Sequence, residues 1–391
     1  MTRLILAVSM VCFAWTGAFA DTFDSSQRTK VYTIQSDGLQ ESREIIVRTP
    51  PFYKDGNEYP VVYVLDGEWN FEFVASYLDY MADNDALPQM IVTGVKNVNR
   101  NRDYVPRVDA HFDDTGGADT FLDFVKDEWV ERVEQDYPAS GERIIVGHSF
   151  GGVFSLHSFF KEPDLFDANL AFGASAWIGD QVLFDEANAL FDEGDDLDSF
   201  VYMAVGENDG GPTVPSSQGL AEIFENKAPA SLNWTFDITS RTDHFSNFTM
   251  GLNDAFMALF PNWEFDDEVK AIGESGGAPG INSWFDEKRN DLGFRFHPSW
   301  FDLGVTALRL SRGEHGDAAL ALMEQLRGYY PDSAYVADFS GSVYENVGQL
   351  DDAAREMERT IELANEQRLH PNAVHTDRLE RGLKRVRGET E

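Results

Sequence analysis

The 391-residue chain is poor in cysteine, cations and long apolar runs. Its single cysteine, Cys12, lies in a stretch that reads as a secretory leader. Arg3 supplies the positive start, Leu4 to Trp15 the apolar segment, and Ala18-Phe19-Ala20 a small-x-small cleavage site. Cys12 sits inside the apolar run with no small residues immediately before it, unlike a lipid-attachment cysteine. Cleavage after Ala20 leaves a chain without thiols, which excludes disulfides, thiol catalysis and zinc–thiolate sites. A periplasmic or secreted protein is therefore expected. No later stretch reaches the roughly 18 apolar residues that span a bilayer. With 31 Lys and Arg against 68 Asp and Glu, the net charge is −37. No basic stripe is visible, which argues against nucleic acid, and an acidic surface repels anionic lipid.

Hydrophobic residues nevertheless make up 42% of the chain and aromatics 13%, enough for a sizeable core. From Lys30 to Leu259, short apolar runs alternate with longer amphipathic segments. Val61–Leu65, Met90–Val95, Arg143–Val146 and Phe200–Val205 read as strands buried on both faces, as in a parallel sheet covered by helices. Val31 to Arg48 reads as a strand pair. Phe121, Phe124, Val125, Trp129 and Val133 give the segment 119–133 one apolar helical face.

The character changes near Pro261. Residues 263–298 are acidic, then glycine-rich, and read as a linker or irregular flap, with Trp263, Trp284 and Phe285 available to line a cleft. Beyond it, Ala307/Gly341, Leu310/Tyr344, Asp317/Asp351, Ala319/Ala353 and Met323/Met357 recur at a spacing of 34 residues. That spacing resembles the tetratricopeptide repeat, with two antiparallel helices per unit. A basic helix over 373–387 is expected to close the chain. The expected domains are a leader (1–20), an α/β domain (21–262), the linker and a helical repeat domain (299–391).

The strongest chemical signal is Gly147-His148-Ser149-Phe150-Gly151-Gly152, a G-x-S-x-G turn between a strand and an apolar helix. Only small residues fit around such a turn. It presents Ser149 at a helix amino end, where developing negative charge is favoured. A serine nucleophile needs a base, and the base an orienting carboxylate. His244, after the run Asn233–Ile238, is the histidine that suits the order serine, acid, histidine. His157 falls on the helix after the turn, and His111 precedes the serine but could line the cleft. The carboxylate should follow the strand ending at Val205, where Asp209 is chosen and Glu207 is the alternative. Oxyanion donors are expected from the backbone of Phe150 and, after the Leu65-Asp66-Gly67 turn, of Glu68. Arg100 and Arg102 could bind an anionic substrate or pair with Asp103 or Asp109.

These residues carry a resemblance to the putative esterase family of α/β-hydrolases, which includes siderophore esterases, feruloyl esterases, S-formylglutathione hydrolase and mycolyltransferases. The carriers are Tyr63–Trp69, Arg102–Pro106, Gly116–Leu122, Gly147–Gly152 and Pro163–Phe166. The resemblance covers roughly residues 40–255 and implies Ser149, His244 and Asp209 as triad, with the second oxyanion donor after Asp66-Gly67. Trp69, Arg100, Arg102 and His148 are the substrate-binding candidates. The expectation is an exported serine esterase, needing no metal or organic cofactor, acting on a siderophore or an aryl, feruloyl-like ester. The rival readings are an acyltransferase of the same fold, and a peptide- or protein-binding module built on the repeats with a weakly active hydrolase as scaffold.

Overall fold

The computed structural model describes residues 25–54, 56–84, 86–261, 263, 267–292, 300–367, 374 and 376–388. The leader, with Cys12 and the Ala20 cleavage position, lies outside these residues, as do His297, His370 and His375.

Eight strands form one sheet: β1 (Thr29–Ser36), β2 (Glu41–Arg48), β3 (Tyr59–Val64), β4 (Ile91–Val95), β5 (Ala139–His148), β6 (Ala168–Phe172), β7 (Phe200–Gly206) and β8 (Asn233–Thr239). Their order is β1-β2-β4-β3-β5-β6-β7-β8. From β4 to β8 neighbours run parallel, whereas β1 and β2 add an antiparallel edge. Every residue of β3, β4, β6 and β7 is buried, which is why these strands read as unbroken apolar runs.

Helices cover both faces. The first half supplies α1 (Gly67–Asp83), α2 (Arg100–Tyr104), α3 (Ala118–Phe124) and α4 (Glu131–Asp136). The second supplies α5 (Phe150–Lys161), α6 (Ile178–Glu193), α7 (Thr213–Lys227) and α8 (His244–Leu259). Cores of α3, α5, α6 and α7 lie on one face, and those of α1 and α8 on the other. The helix expected over 119–133 is divided by a π-helical turn at Val125–Val130. Its apolar face survives: Phe121, Phe124, Val125, Trp129 and Val133 are all buried, and the Trp129 indole N–H donates to Thr93 Oγ1 at 3.0 Å.

The segment expected as a linker or flap is instead largely helical. Helix α9 (Asp267–Leu292) bends at Gly277, where φ is 58° and ψ −152°. Ile281 and Phe285 are buried in one cluster with residues of the following helices, and Trp284 packs at its edge. Trp284 and Phe285 thus serve this packing, and Trp263 meets Phe260 edge-on at 6.3 Å. A glycine content that suggested irregular chain has a contact role here. A β-carbon on Gly273 would lie 2.7 Å from Thr306 Cγ2.

Two helix pairs follow, α10 (Trp300–Ser311) with α11 (Gly316–Tyr329), and α12 (Ala334–Asn346) with α13 (Leu350–Glu366), before α14 (Thr376–Val386). The second pair begins 34 residues after the first. Gly341 lies where a β-carbon would meet Met357 at 3.1 Å, so the small residue permits the helix crossing. These helices dock on the chain between β2 and β3. There the Phe52 ring meets Trp300 and Tyr330 edge-on, at 6.3 and 6.0 Å. Lys54 Nζ donates to the Gly328 carbonyl at 2.6 Å and Asn57 Nδ2 to that of Tyr329 at 3.2 Å. One apolar cluster runs from Val74 and Phe256 to Leu303 and Leu326.

Candidate active site

Strand β5 ends at His148 and α5 starts at Phe150, so the whole reversal falls on Ser149, with φ 59° and ψ −117°. A non-glycine residue in that region is strained and persists only where its surroundings impose it. A β-carbon on Gly147 would lie 2.1 Å from the Gly151 carbonyl oxygen, and one on Gly152 3.1 Å from the Ala174 β-carbon. Gly147 is therefore a steric requirement of the turn, and Gly152 packs tightly against Ala174. The Ser149 N–H donates to the Phe172 carbonyl at 2.9 Å and ties the turn to the end of β6.

His244 is the first residue of α8. Asp243 caps that helix: its carboxylate accepts from the Phe245 and Ser246 amides, while Ser246 Oγ accepts from the Asp243 amide. The cap fixes the backbone from which the imidazole projects. His244 Nδ1 donates to Asp209 Oδ2 at 2.8 Å, and the Asp209 side chain is only 3% exposed. Glu207 turns elsewhere, accepting from the Arg241 amide at 2.7 Å and from Ser240 Oγ at 3.2 Å. Of the two carboxylates open from sequence, Asp209 is the one brought to His244.

Gly173, just past β6, lies beneath this pair. A β-carbon there would be 3.2 Å from His244 Nδ1 and 3.3 Å from Asp209 Oδ2. Its φ of 53° is also one that side chains resist. Sequence reading did not single out this glycine, because it belongs to no local motif.

His148 does not point away from the site. Its Nε2–H donates to the His244 carbonyl at 2.7 Å, and its ring lies 4.6 Å from that of His244 and stacks on Phe248. Burial pushes its pKa down to about 4, with help from neighbouring His244 and Arg100. This buried, hydrogen-bonded imidazole supports the backbone of His244.

Glu68 and Trp69 open α1 behind Asp66, whose φ of 55° and ψ of 49° are left-handed. Asp66 is buried and accepts from Arg100 Nε at 2.6 Å, Arg100 Nη2 at 2.9 Å and Asn97 Nδ2 at 2.7 Å. Arg100 Nη2 also reaches the His148 carbonyl at 3.2 Å, joining this turn to the serine turn. Arg100 therefore holds the scaffold together, paired with Asp66 and not with Asp103 or Asp109. Arg102 pairs with Asp103 and Glu41, and buried Arg43 completes that network. Both arginines are paired with carboxylates of the chain. The Phe150 and Glu68 amides each lie in the first turn of a helix, where N–H groups have no intrahelical acceptor. His111 is largely exposed and bonded to Asp109, and His157 is buried between Asp119 and Glu186. Among the described residues, no three His, Asp or Glu side chains are grouped to hold a metal ion.

The sequence profile of the family described as Putative esterase matches residues 36–246, more than half of the chain. The chain belongs to this family. A siderophore enterobactin esterase of Emericella nidulans is 36% identical over 85 residues, 21% of this chain and 27% of that protein. The chain spans between about a quarter and three fifths of the length of the curated relatives it matches. Among solved structures, an IroE-like serine hydrolase from Shewanella oneidensis superposes with a TM-score of 0.65 at 26% identity. That match covers 77% of this chain and 99% of the other. An uncharacterised protein from Capnocytophaga ochracea shares the fold over 92% of this chain and 99% of its own, with a TM-score of 0.59 at 18% identity. No described helix is long and apolar enough to cross a membrane.

Proposed function

We propose that this member of the esterase family is an exported serine esterase that hydrolyses carboxylic esters through an acyl-enzyme. The observation that carries the reading is the His244–Asp209 hydrogen bond of 2.8 Å, with the His244 ring 4.6 Å from that of His148, the residue before a serine held at φ 59°. Ser149 Oγ attacks the ester carbonyl while His244 Nε2 takes its proton. Asp209 accepts from Nδ1–H, which fixes the tautomer and stabilises the imidazolium. The Phe150 and Glu68 amides receive the oxyanion. The tetrahedral intermediate collapses, and the proton on His244 passes to the departing alcohol. Water then gives a proton to His244 and attacks the acyl carbonyl; as the acid leaves, the proton on His244 returns to Ser149 Oγ. The leader places the enzyme in the periplasm or outside the cell, and the 34-residue helix pairs are tetratricopeptide-like repeats.

The relatives named siderophore esterases favour a siderophore or aryl ester as substrate. A screen over aryl acyl esters, feruloyl esters and trilactone siderophores, with Ser149→Ala as control, tests this. Turnover that survives the substitution would overturn the mechanism.

A further inference from the structure

Helix α8 carries His244 on its first turn, and what holds that helix to the sheet is mostly apolar. Its buried residues from Phe248 to Leu259 are hydrophobic or glycine. Apolar contacts are non-directional, so they resist withdrawal of a helix more than its rotation or sliding. An imidazole at the end of the helix is displaced by both motions. Asn247, three residues after His244, is the single polar residue on the buried face, and it is fully buried.

Both ends of its side-chain amide are used. Nδ2 donates to the Ala204 carbonyl of β7 at 3.1 Å, and Oδ1 accepts from Thr239 Oγ1, at the end of β8, at 2.9 Å. The Ala204 carbonyl also accepts the Gly173 N–H at 2.7 Å. One acceptor thus holds both α8 and the glycine beneath the His244–Asp209 pair.

Thr239 in turn reaches the loop that carries the acid. Its carbonyl accepts from Thr242 Oγ1 at 2.7 Å and from the Glu207 amide at 3.0 Å. The Thr242 carbonyl accepts from the amide of Asn208, the residue before Asp209, at 2.8 Å. The chain packs too closely there to slip: a β-carbon on Gly206 would lie 2.7 Å from the Asp243 carbonyl oxygen. A buried amide satisfied at both ends selects one rotation and one depth of its helix, because any other leaves a donor or acceptor unpaired.

We propose that Asn247, braced by the Thr239 hydroxyl, is a positioning residue that sets the rotation and depth of α8 and so aligns the His244 imidazole with Asp209. The inference rests on the assignment of Ser149, His244 and Asp209 above and adds a residue that no motif around the serine or the histidine contains.

The test uses the full chain and a small aryl acetate. Asn247→Leu keeps the bulk and removes both bonds. Its kcat per folded molecule should fall at least about tenfold, with KM changed less than about twofold, and the acid limb of its pH–rate profile should move. Thr239→Val, which loses only the hydroxyl, should fall in the same direction by less, whereas Thr239→Ser keeps the hydroxyl and should match the wild type. Added to Asn247→Leu, Thr239→Val should cost nothing further, because the bond it breaks is already gone. Leu252→Ala controls for stability alone. It removes a buried apolar contact from the same helix, so the melting temperature should drop while kcat per folded molecule and the pH profile hold. Variants of Asn247 and Thr239 that melt lower yet keep the wild-type kcat and pH profile would overturn the positioning role and leave the esterase intact. Should Asn247→Leu fail to fold, Thr239→Val against Thr239→Ser decides on the same readouts. Wild-type protein that hydrolyses no ester and leaves Ser149 unlabelled by a fluorophosphonate would instead overturn the esterase reading, and the positioning role with it.

Discussion

His148 donates a hydrogen bond of 2.7 Å from Nε2 to the backbone carbonyl of His244, so the residue before Ser149 supports the residue proposed as the base. The two lie 96 positions apart in the chain. The serine turn and the start of α8 are thereby joined by one side chain.

Neutral His148 gives this link a pH dependence. Its pKa in the folded protein is about 4, below the ordinary value of 6.5. The unfolded chain therefore binds more protons between these values, and stability falls as the pH drops from about 6.5 to 4. Melting temperature measured across that window should decline, and His148→Gln should flatten the decline. A variant with an unaltered pH profile would show that another group titrates.

Replacing the nucleophile has a simpler outcome. Ser149→Ala should lower ester turnover by roughly 10⁵-fold or more with folding intact. A fluorophosphonate should label the wild type and not the variant, as read by mass spectrometry.

The two acids should separate cleanly. Asp209→Asn removes the charge that orients and stabilises the imidazole, so kcat should fall by roughly 10²–10⁴-fold. Glu207→Gln, on a side chain bonded to Ser240 and the Arg241 amide, should cost less than about fivefold. The reverse ranking would move the acid to Glu207.

Gly173→Ala tests the floor beneath the pair. The added methyl would press on His244 Nδ1 and Asp209 Oδ2 at 3.2–3.3 Å, at a φ that adds about 1 kcal/mol of strain. We expect kcat to fall at least tenfold with KM little changed, and the acid limb of the pH–rate profile to move. Activity and profile like the wild type would mean that the loop yields without loss.

At the junction with the helical tail, Phe52→Ala should lower stability by about 1–3 kcal/mol through lost contacts with Trp300 and Tyr330. Small-ester turnover per folded molecule should hold, because Ser149, Asp209 and His244 all lie on the α/β side of the chain. A variant that melts like the wild type would make the tail an independent, tethered unit.

The sequence by itself determined the α/β class, four of the central strands, the serine turn and the helical tail. Each follows from short-range physics: apolar runs that must be buried, a reversal that only small residues can flank, and a period that repeats. It put Asp209 ahead of Glu207 without removing the second, since the two are acidic and two positions apart. The tertiary structure separated them, by bringing His244 to Asp209 across the carboxyl ends of β7 and β8. It also paired Arg100 with Asp66, a partner local sequence does not display, and revealed Gly173 beneath the pair. The glycine-rich segment became a packed helix for the same reason: its glycines answer to neighbours such as Thr306, which local sequence does not display. Pairings of this kind depend on distances between residues tens of positions apart, and those distances exist only once the sheet has formed.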